Sequence, residues 1–407
     1  MKVGVIGLGF VGLVTATVLA EQGNYVTCID IDKKKIDRLR TGDLYIYEPG
    51  LKDLLEKNRA RMTFASDYSP LTGSEVVFIC VPTPTVNGKI NLSYVRDSVL
   101  AVNSADKNVT IAIKSTVVPG TASELSSIIR RGIVSNPEFL REGNAIEDTL
   151  HPDRIVIGGK SVEDIEKVRN LWEFTGAPVL MTTNENAELI KYASNAFLAA
   201  KISFINEIAN LCESIPGADV AIVAQAMGMD HRIGKDFLRA GIGFGGSCFP
   251  KDTMALVSYA EEKGIDLRIV KSTIEVNKAR VKHAVEIIED EVGDLKERSI
   301  CVLGLTFKDN TNDLRESKSL ELINELKAKG VNIRAYDPVV KELDGLEIVN
   351  RIEECEGTDC VVVASEWKEF ETNSLYERAK KVVDLKKIVN KKIHPNVRAI
   401  GVHYGED

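Results

Sequence analysis

KVGVIGLGFVG, residues 2–12, is a short apolar run that breaks into glycines at positions 7, 9 and 12 and passes into a helical pattern ending near Gly23. A strand that enters a helix through Gly-x-Gly-x-x-Gly makes the turn that cradles a dinucleotide pyrophosphate. Gly7 permits the tight turn, Gly9 lets the backbone approach the phosphates, and Gly12 lets helix and strand pack closely. The phosphates would lie at the helix N-terminus, beside Phe10 and Val11, where unpaired N–H groups favour anions. The next apolar run, YVTCIDI, ends at Asp30, eighteen residues past Gly12. A carboxylate there would bind the ribose hydroxyls and repel the extra phosphate of NADP, so NAD is the expected cofactor. Lys33, Lys34 and Lys35 weaken that repulsion, although such a run reads first as a solvated helix start.

Working outward, VVFICVP (76–82), VTIAIKS (109–115) and DRIVIGG (153–159) continue the alternation of short apolar runs with helical patterns. That alternation predicts a parallel sheet with helices on both faces. A segment from about Glu185 to Ser214 has neither proline nor glycine and would form a helix about 45 Å long. RSICVLGL, SLELINELKAKG, VNIRAYD and DCVVVAS then repeat the strand–helix–strand order, but Leu305, Thr306 and Phe307 follow Gly304 where the fingerprint would need glycine. The expected fold is α/β: two Rossmann-like, doubly wound parallel-sheet domains joined by a long central helix and a helical dimerisation region. The expected boundaries are 1–184, 185–295 and 296–407.

The 407 residues carry a net charge of -8, which favours neither nucleic acid nor an anionic membrane. No apolar run reaches the roughly 18–20 residues of a membrane helix. The N-terminal stretch could pass for a signal peptide, but its glycines sit at phosphate-loop spacing. Seven cysteines without paired spacing argue against a disulfide framework, and nothing clusters as a metal site. A reducing, cytoplasmic setting is expected, with no metal.

Six of those cysteines are expected to be chemically quiet. Cys28, Cys80, Cys301 and Cys360 lie in apolar strands, Cys212 in the long helix and Cys355 in a polar connection. Cys248 differs, sitting inside GIGFGGSCFPKD, residues 241–252, among glycines that let a ligand approach. Pro250 suits the first turn of a following helix, and a thiol at a helix N-terminus beside Lys251 should ionise readily. That describes a nucleophile; a cysteine in a structural turn is the bland alternative. NPEFLREG (136–143) reads as a helical turn with Asn136 as N-cap. Glu138 and Glu142 would then share a face, and like charges there would raise one pKa, as a base near neutral pH needs; taken without context, a solvated acidic turn is the safer reading. Lys191 and Asn195, four apart on the long helix, could together hold a developing alkoxide, though most such pairs face water.

GLGFVG with Asp30, YEPGL (47–51), Lys114-Ser115-Thr116, NPEFLREG, LIKYASNAFLA, RIGKDFLRAGIGFGGSCFPKD and GLTFKDNTNDLRES stand in order along the chain. With these motifs the sequence resembles the UDP-glucose/GDP-mannose dehydrogenase family, whose members oxidise a nucleotide-sugar alcohol to a carboxylate in two steps. The resemblance implies that Cys248 attacks the aldehyde of the first step and that Glu138 assists hydrolysis of the resulting thioester. Lys191, Asn195 and Asp252 would position the sugar C6 oxygen and a water, with Thr116 beside them. Cofactor contacts would come from Lys35, Thr83, Ser115, Thr116, Glu142, Lys251 and Arg315 besides the glycine loop and Asp30. The nucleotide sugar would meet Phe139, Leu140, Phe237, Arg239, Gly243, Phe244, Gly245, Phe307 and Lys308. Arg232 would come from a neighbouring subunit of a homodimer.

One stretch departs from the family pattern. Asp384-Leu385-Lys386-Lys387 stands where members usually carry Asp-Gly-Arg, and lysine supplies charge without a bidentate fork. The Phe249 loop and HPDRIVIGG resemble the UDP-glucose branch more than the GDP-mannose one. Enzymes for UDP-N-acetylated sugars usually have His rather than Ser before the cysteine. A two-electron hydroxyacid dehydrogenase would not need Cys248, and a silent NAD-binding sensor would need none of the catalytic set.

Overall fold

The computed structural model describes residues 1–86, 89–390 and 392–404. The chain divides into two compact units, Met1–Ser194 and Asn195–Asp407. In the first, β1 (Lys2–Ile6), β2 (Tyr25–Ile29), β3 (Met62–Ala65), β4 (Val76–Ile79), β5 (Thr110–Ile113), β6 (Ile133–Ser135), β7 (Ile155–Gly158) and β8 (Val179–Thr182) form one sheet. Its order is β8-β7-β6-β5-β4-β1-β2-β3. Strands β1 to β6 are mutually parallel, and the winding reverses between β1 and β4, where α/β sheets bind ligands at their strand ends. The final pair departs from the all-parallel expectation: β7 runs antiparallel to β6, and β8 follows β7 in parallel.

Helices cover both faces, so central strands are apolar throughout rather than alternating; all four residues of β4 and of β5 are buried. Helix α1 (Phe10–Glu21) is buried from Gly12 to Ala20, which explains why it is apolar on every side. Gly23 follows it at a φ of 84°, the left-handed conformation that ends a helix cheaply in glycine. Helix α2 (Thr121–Ile129) follows the loop after β5, and α3 (Asn184–Glu213) runs for 30 residues, with the unit boundary inside it.

The second unit holds α4 (Phe249–Glu262), α5 (Arg268–Val292) and a six-stranded sheet. Its strands are β9 (Ser299–Leu303), β10 (Asn332–Tyr336), β11 (Glu347–Ile348), β12 (Cys360–Val363), β13 (Val382–Asp384) and β14 (Arg398–Ala399). They lie in the order β11-β10-β9-β12-β13-β14, all parallel, which repeats the winding of the first sheet. The same lock recurs at the first turn of each sheet. Leu8 N donates to Asp30 Oδ2 at 2.9 Å, and Leu305 N donates to Asp337 Oδ2 at 2.8 Å. An acid at the end of the second strand therefore braces the first turn in both units.

Two expectations are corrected here. Cys301 and Cys355 are joined in a disulfide, with Cα atoms 5.5 Å apart. Sequence spacing hid the pair because 54 residues separate them, yet β9 and the short helix Ile352–Cys355 pack into one apolar core. The stretch 136–141 is not a helical turn but extended, irregular chain leaving β6. Asn136 caps nothing: its N–H donates to Ile113 O, its amide donates to Val156 O, and its Oδ1 accepts from Trp172 Nε1.

Candidate active site

In the first unit the glycine loop has the shape a pyrophosphate needs. Gly7 has a φ of 86°, and a Cβ on Gly12 would stand 1.8 Å from Gly7 O. Gly9 is different: nothing lies within 4 Å of where its Cβ would be. The protein itself does not require glycine there, so the open space fits an incoming ligand. Phe10 and Val11 begin α1, half-buried. Asp30 is buried, its carboxylate held by Leu8 N and by Asp32 N at 2.9 Å, with Lys35 Nζ 3.8 Å away. Thr83 is buried beyond β4; Ser115 Oγ bonds Val81 O at 2.7 Å, and Thr116 is half-buried next to it. These residues fit a dinucleotide lying across the carboxyl ends of β1 and β4.

Glu138 is buried, and its Oε1 accepts from Lys191 Nζ at 2.8 Å while Oε2 accepts from Leu140 N at 2.6 Å. The carboxylate thus sits in an opposite-charge pair. Burial pushes the Glu138 carboxyl up, but the Lys191 ammonium, the Leu140 N–H and Lys114 outweigh it and hold the group below the ordinary range. Glu142 is half-buried in the following turn. Phe139 carries the Arg154 guanidinium 4.1 Å above its ring and Lys191 Nζ at 5.6 Å, and Leu140 packs on the core.

In the second unit Cys248 is the N-cap of α4, half-buried, with Pro250 in the first turn. Its Sγ lies 3.6 Å from Ser247 Oγ. Lys251, expected to act on the thiol, has its ammonium 2.5 Å from Asp252 Oδ1. Asp252 is buried and its other oxygen accepts from Asn195 Nδ2 at 2.7 Å. The remaining cysteines differ from Cys248 in burial. Burial pushes Cys28 far up and takes Cys80 and Cys360 to about 12, so these thiols stay protonated.

The glycine-rich loop before Cys248 is packed to the backbone. A Cβ on Gly245 would stand 2.1 Å from Glu316 O, and Gly246, at a φ of 81°, presses on the Phe307 ring. Gly243 has a φ of 106°. Asn277 grips both backbone groups of Phe244, at 2.7 and 3.0 Å, and Arg280 Nε donates to Gly241 O at 3.1 Å. Phe237, itself at a φ of 64°, and Phe244 set their rings edge-on to Phe249 at 6.0 and 5.8 Å. Arg239 is exposed and Lys308 half-buried. Arg232 and Arg315 are exposed and each chelates its own local aspartate, Asp230 and Asp313. In the departing stretch, Lys386 pairs with Glu366 at 2.8 Å and Lys387 with Asp219 at 2.7 Å.

Three groups escaped sequence reasoning. Lys114 stands out in the sequence only as part of a motif, yet its ammonium is buried 4.6 Å over Trp172, and burial lowers its pKa to about 8. Glu188 is a buried carboxylate on α3, and Arg280 is fully buried beneath the glycine loop. All three have partners more than twenty residues away, so no local pattern marks them.

Against known proteins, the family model described as the NAD binding domain of the UDP-glucose/GDP-mannose dehydrogenase family matches residues 1–175. Its central domain matches 185–279 and its UDP binding domain 301–391. The chain is 43% identical over 394 residues to the UDP-glucose 6-dehydrogenase TuaD of Bacillus subtilis, covering 92% of this chain and 85% of that one. It is 40% identical to the UDP-glucose 6-dehydrogenase of Rickettsia typhi, covering 99% and 98%. The solved structure of a UDP-glucose dehydrogenase from the hyperthermophilic archaeon Pyrobaculum islandicum superposes with a TM-score of 0.93 at 36% identity, over 99% of this chain and 98% of that one.

Proposed function

The chain belongs to the UDP-glucose/GDP-mannose dehydrogenase family, NAD-dependent oxidoreductases, and from that premise we propose that it oxidises UDP-glucose to UDP-glucuronate with Cys248 as nucleophile. Residues 1–184 would bind the cofactor, 185–295 would supply the thiol and the dimer contact, and 296–407 would bind the UDP moiety. When bound, NAD would supply the hydride acceptor for two successive oxidations. An aldehyde gives up hydride poorly until a nucleophile makes its carbon tetrahedral. Cys248 would do this by forming a C–S bond as its S–H proton passes to the carbonyl oxygen; loss of hydride from that carbon and of the O–H proton would then leave a thioester. Glu138 takes a proton from the water that attacks the thioester, the C–S bond breaks, and the thiolate returns. Lys191 neutralises Glu138 and, with Asn195 and Asp252, holds the C6 oxygen and a water.

The observation that carries this reading is Cys248 itself, a half-buried thiol at the N-terminus of α4 behind a glycine loop locked by Asn277. Cys248→Ser should bind NAD normally and form no net glucuronate. Turnover to the acid at the wild-type rate in that variant would overturn the assignment.

The reading includes a homodimer, with Arg232 crossing to a partner's site. Phe197, Phe204 and Leu211 are 67%, 49% and 55% exposed at seven-residue spacing on α3, and such a stripe needs a cover. Sedimentation equilibrium should return twice the chain mass, and a stable monomer at micromolar concentration would contradict this.

A further inference from the structure

Glu188 lies on α3 three residues before Lys191, and its side chain is 3% exposed. Oε2 accepts from Gly120 N at 2.6 Å, and Oε1 accepts from Ala122 N at 2.9 Å and from Ser135 Oγ at 3.0 Å. One turn earlier, Asn184 grips the same strand by two bonds. Its Oδ1 accepts from Ser135 N and its Nδ2 donates to Ile133 O, both at 3.0 Å.

Three segments therefore meet at one carboxylate. The loop after β5 carries Ser115 and Thr116 and ends at Gly120, where α2 begins. Strand β6 ends at Ser135, three residues before Glu138. Helix α3 delivers Lys191 to Glu138. A tie this deep could be built from an amide or from apolar packing at less desolvation cost. A carboxylate has one property those lack: ionised, it only accepts, whereas protonation adds an O–H donor to a site already lined with three donors.

We propose that Glu188 is a positioning residue whose ionised carboxylate holds the Thr116 loop, the Glu138 strap and the Lys191 turn of α3 in working register, and whose protonation loosens it. The inference rests on the reading above that Thr116, Glu138 and Lys191 belong to the catalytic machinery. Protonation places an O–H among three donors, so either an N–H loses its acceptor or the Ser135 hydroxyl turns to accept, and the tie changes in both cases. Burial pushes the Glu188 carboxyl up to about 7, against the pull of its three donors. The charge that faces it among the described residues is Glu185, on the same helix, which raises it further; α2 and β6 present N–H and O–H groups.

The test combines pH profiles of kcat with melting temperatures of the ligand-free protein. In the wild type, kcat should fall as pH drops through about 7, with KM for either ligand changing less than kcat. Glu188→Gln should lose that limb and run about tenfold or more below the wild-type plateau, the scale of a small misplacement of reacting groups. Ser135→Ala removes one donor from the ionised form and should move the limb to higher pH. Because the folded carboxyl titrates above its unfolded value, wild-type stability should decline as pH rises from the ordinary Glu range through about 7. Glu188→Gln should lose that slope. A limb that persists in Glu188→Gln while the stability slope disappears would mean a purely structural tie and overturn the proposal. If that variant does not fold, an unmoved limb in Ser135→Ala overturns it instead. Glu138→Gln separates the two levels. If it is crippled while Glu188→Gln is not, this inference falls alone; if it turns over normally, the underlying reading falls.

Discussion

Glu138 and Lys191 form a buried ion pair whose members are 53 residues apart in sequence, and that separation is why neither partner could be assigned from spacing. Sequence pattern suggested Glu142 as the neighbour of Glu138 because both would share a helical face. Asn136 instead spends its side chain on Val156 and Trp172, the chain stays extended, and the carboxylate turns back to its own Leu140 N–H. The consequence is measurable. Lys191→Met leaves a carboxylate stranded in the interior, which costs about 3–5 kcal/mol at pH 7.5. Its pKa is lowered in the wild type, so the pair's contribution persists above the unfolded value and is lost only as pH falls through the depressed one. In the variant only the Leu140 N–H and Lys114 still oppose burial, so the carboxyl rises, and part of the lost stability should return as pH falls and it takes a proton. Melting curves of the two proteins at falling pH check this; a difference independent of pH would contradict the pairing.

Helices and turns were far more legible. The glycine loop, α1 and α3 could be placed from composition and spacing because each depends on local geometry: positive φ, a buried apolar helix, an unbroken helical run. The strands β3, β6 and β8 leave little trace in the sequence: β6 has three residues, and β3 and β8 are the two edges of the sheet. The antiparallel turn of β7 left no local trace either. Within the phosphate loop, the three glycines separate by cause. At Gly12 the fold itself forbids a side chain, whereas Gly9 faces open space. Gly9→Ala should therefore melt within about 0.5 kcal/mol of the wild type, the ordinary range for a substitution that meets nothing. Its NAD affinity should nevertheless drop at least about tenfold, because a methyl group would stand where the pyrophosphate must approach. Isothermal titration with NAD beside a melting curve decides it; unchanged affinity would mean that the phosphates do not lie on this loop.

The two sheets share a winding order and a braced first turn, yet only the first carries the glycine fingerprint. That asymmetry was visible in the sequence, where Leu305, Thr306 and Phe307 replace the glycines, and it matches separate family domains for NAD and for UDP. The disulfide was not visible, since it depends on how β9 and a short helix pack in three dimensions. Nor could the lysine-for-arginine departure be weighed until Lys386 and Lys387 were seen to hold Glu366 and Asp219. What would separate the proposed function from a two-electron alcohol dehydrogenase is that the aldehyde is trapped on sulfur and oxidised again before release. The direct measurement is the NADH formed per UDP-glucose consumed by the purified enzyme under single-turnover and steady-state conditions. Two NADH per sugar, with glucuronate as the product and no free aldehyde, is the expected result. One NADH per sugar with the aldehyde accumulating would contradict the role given to Cys248.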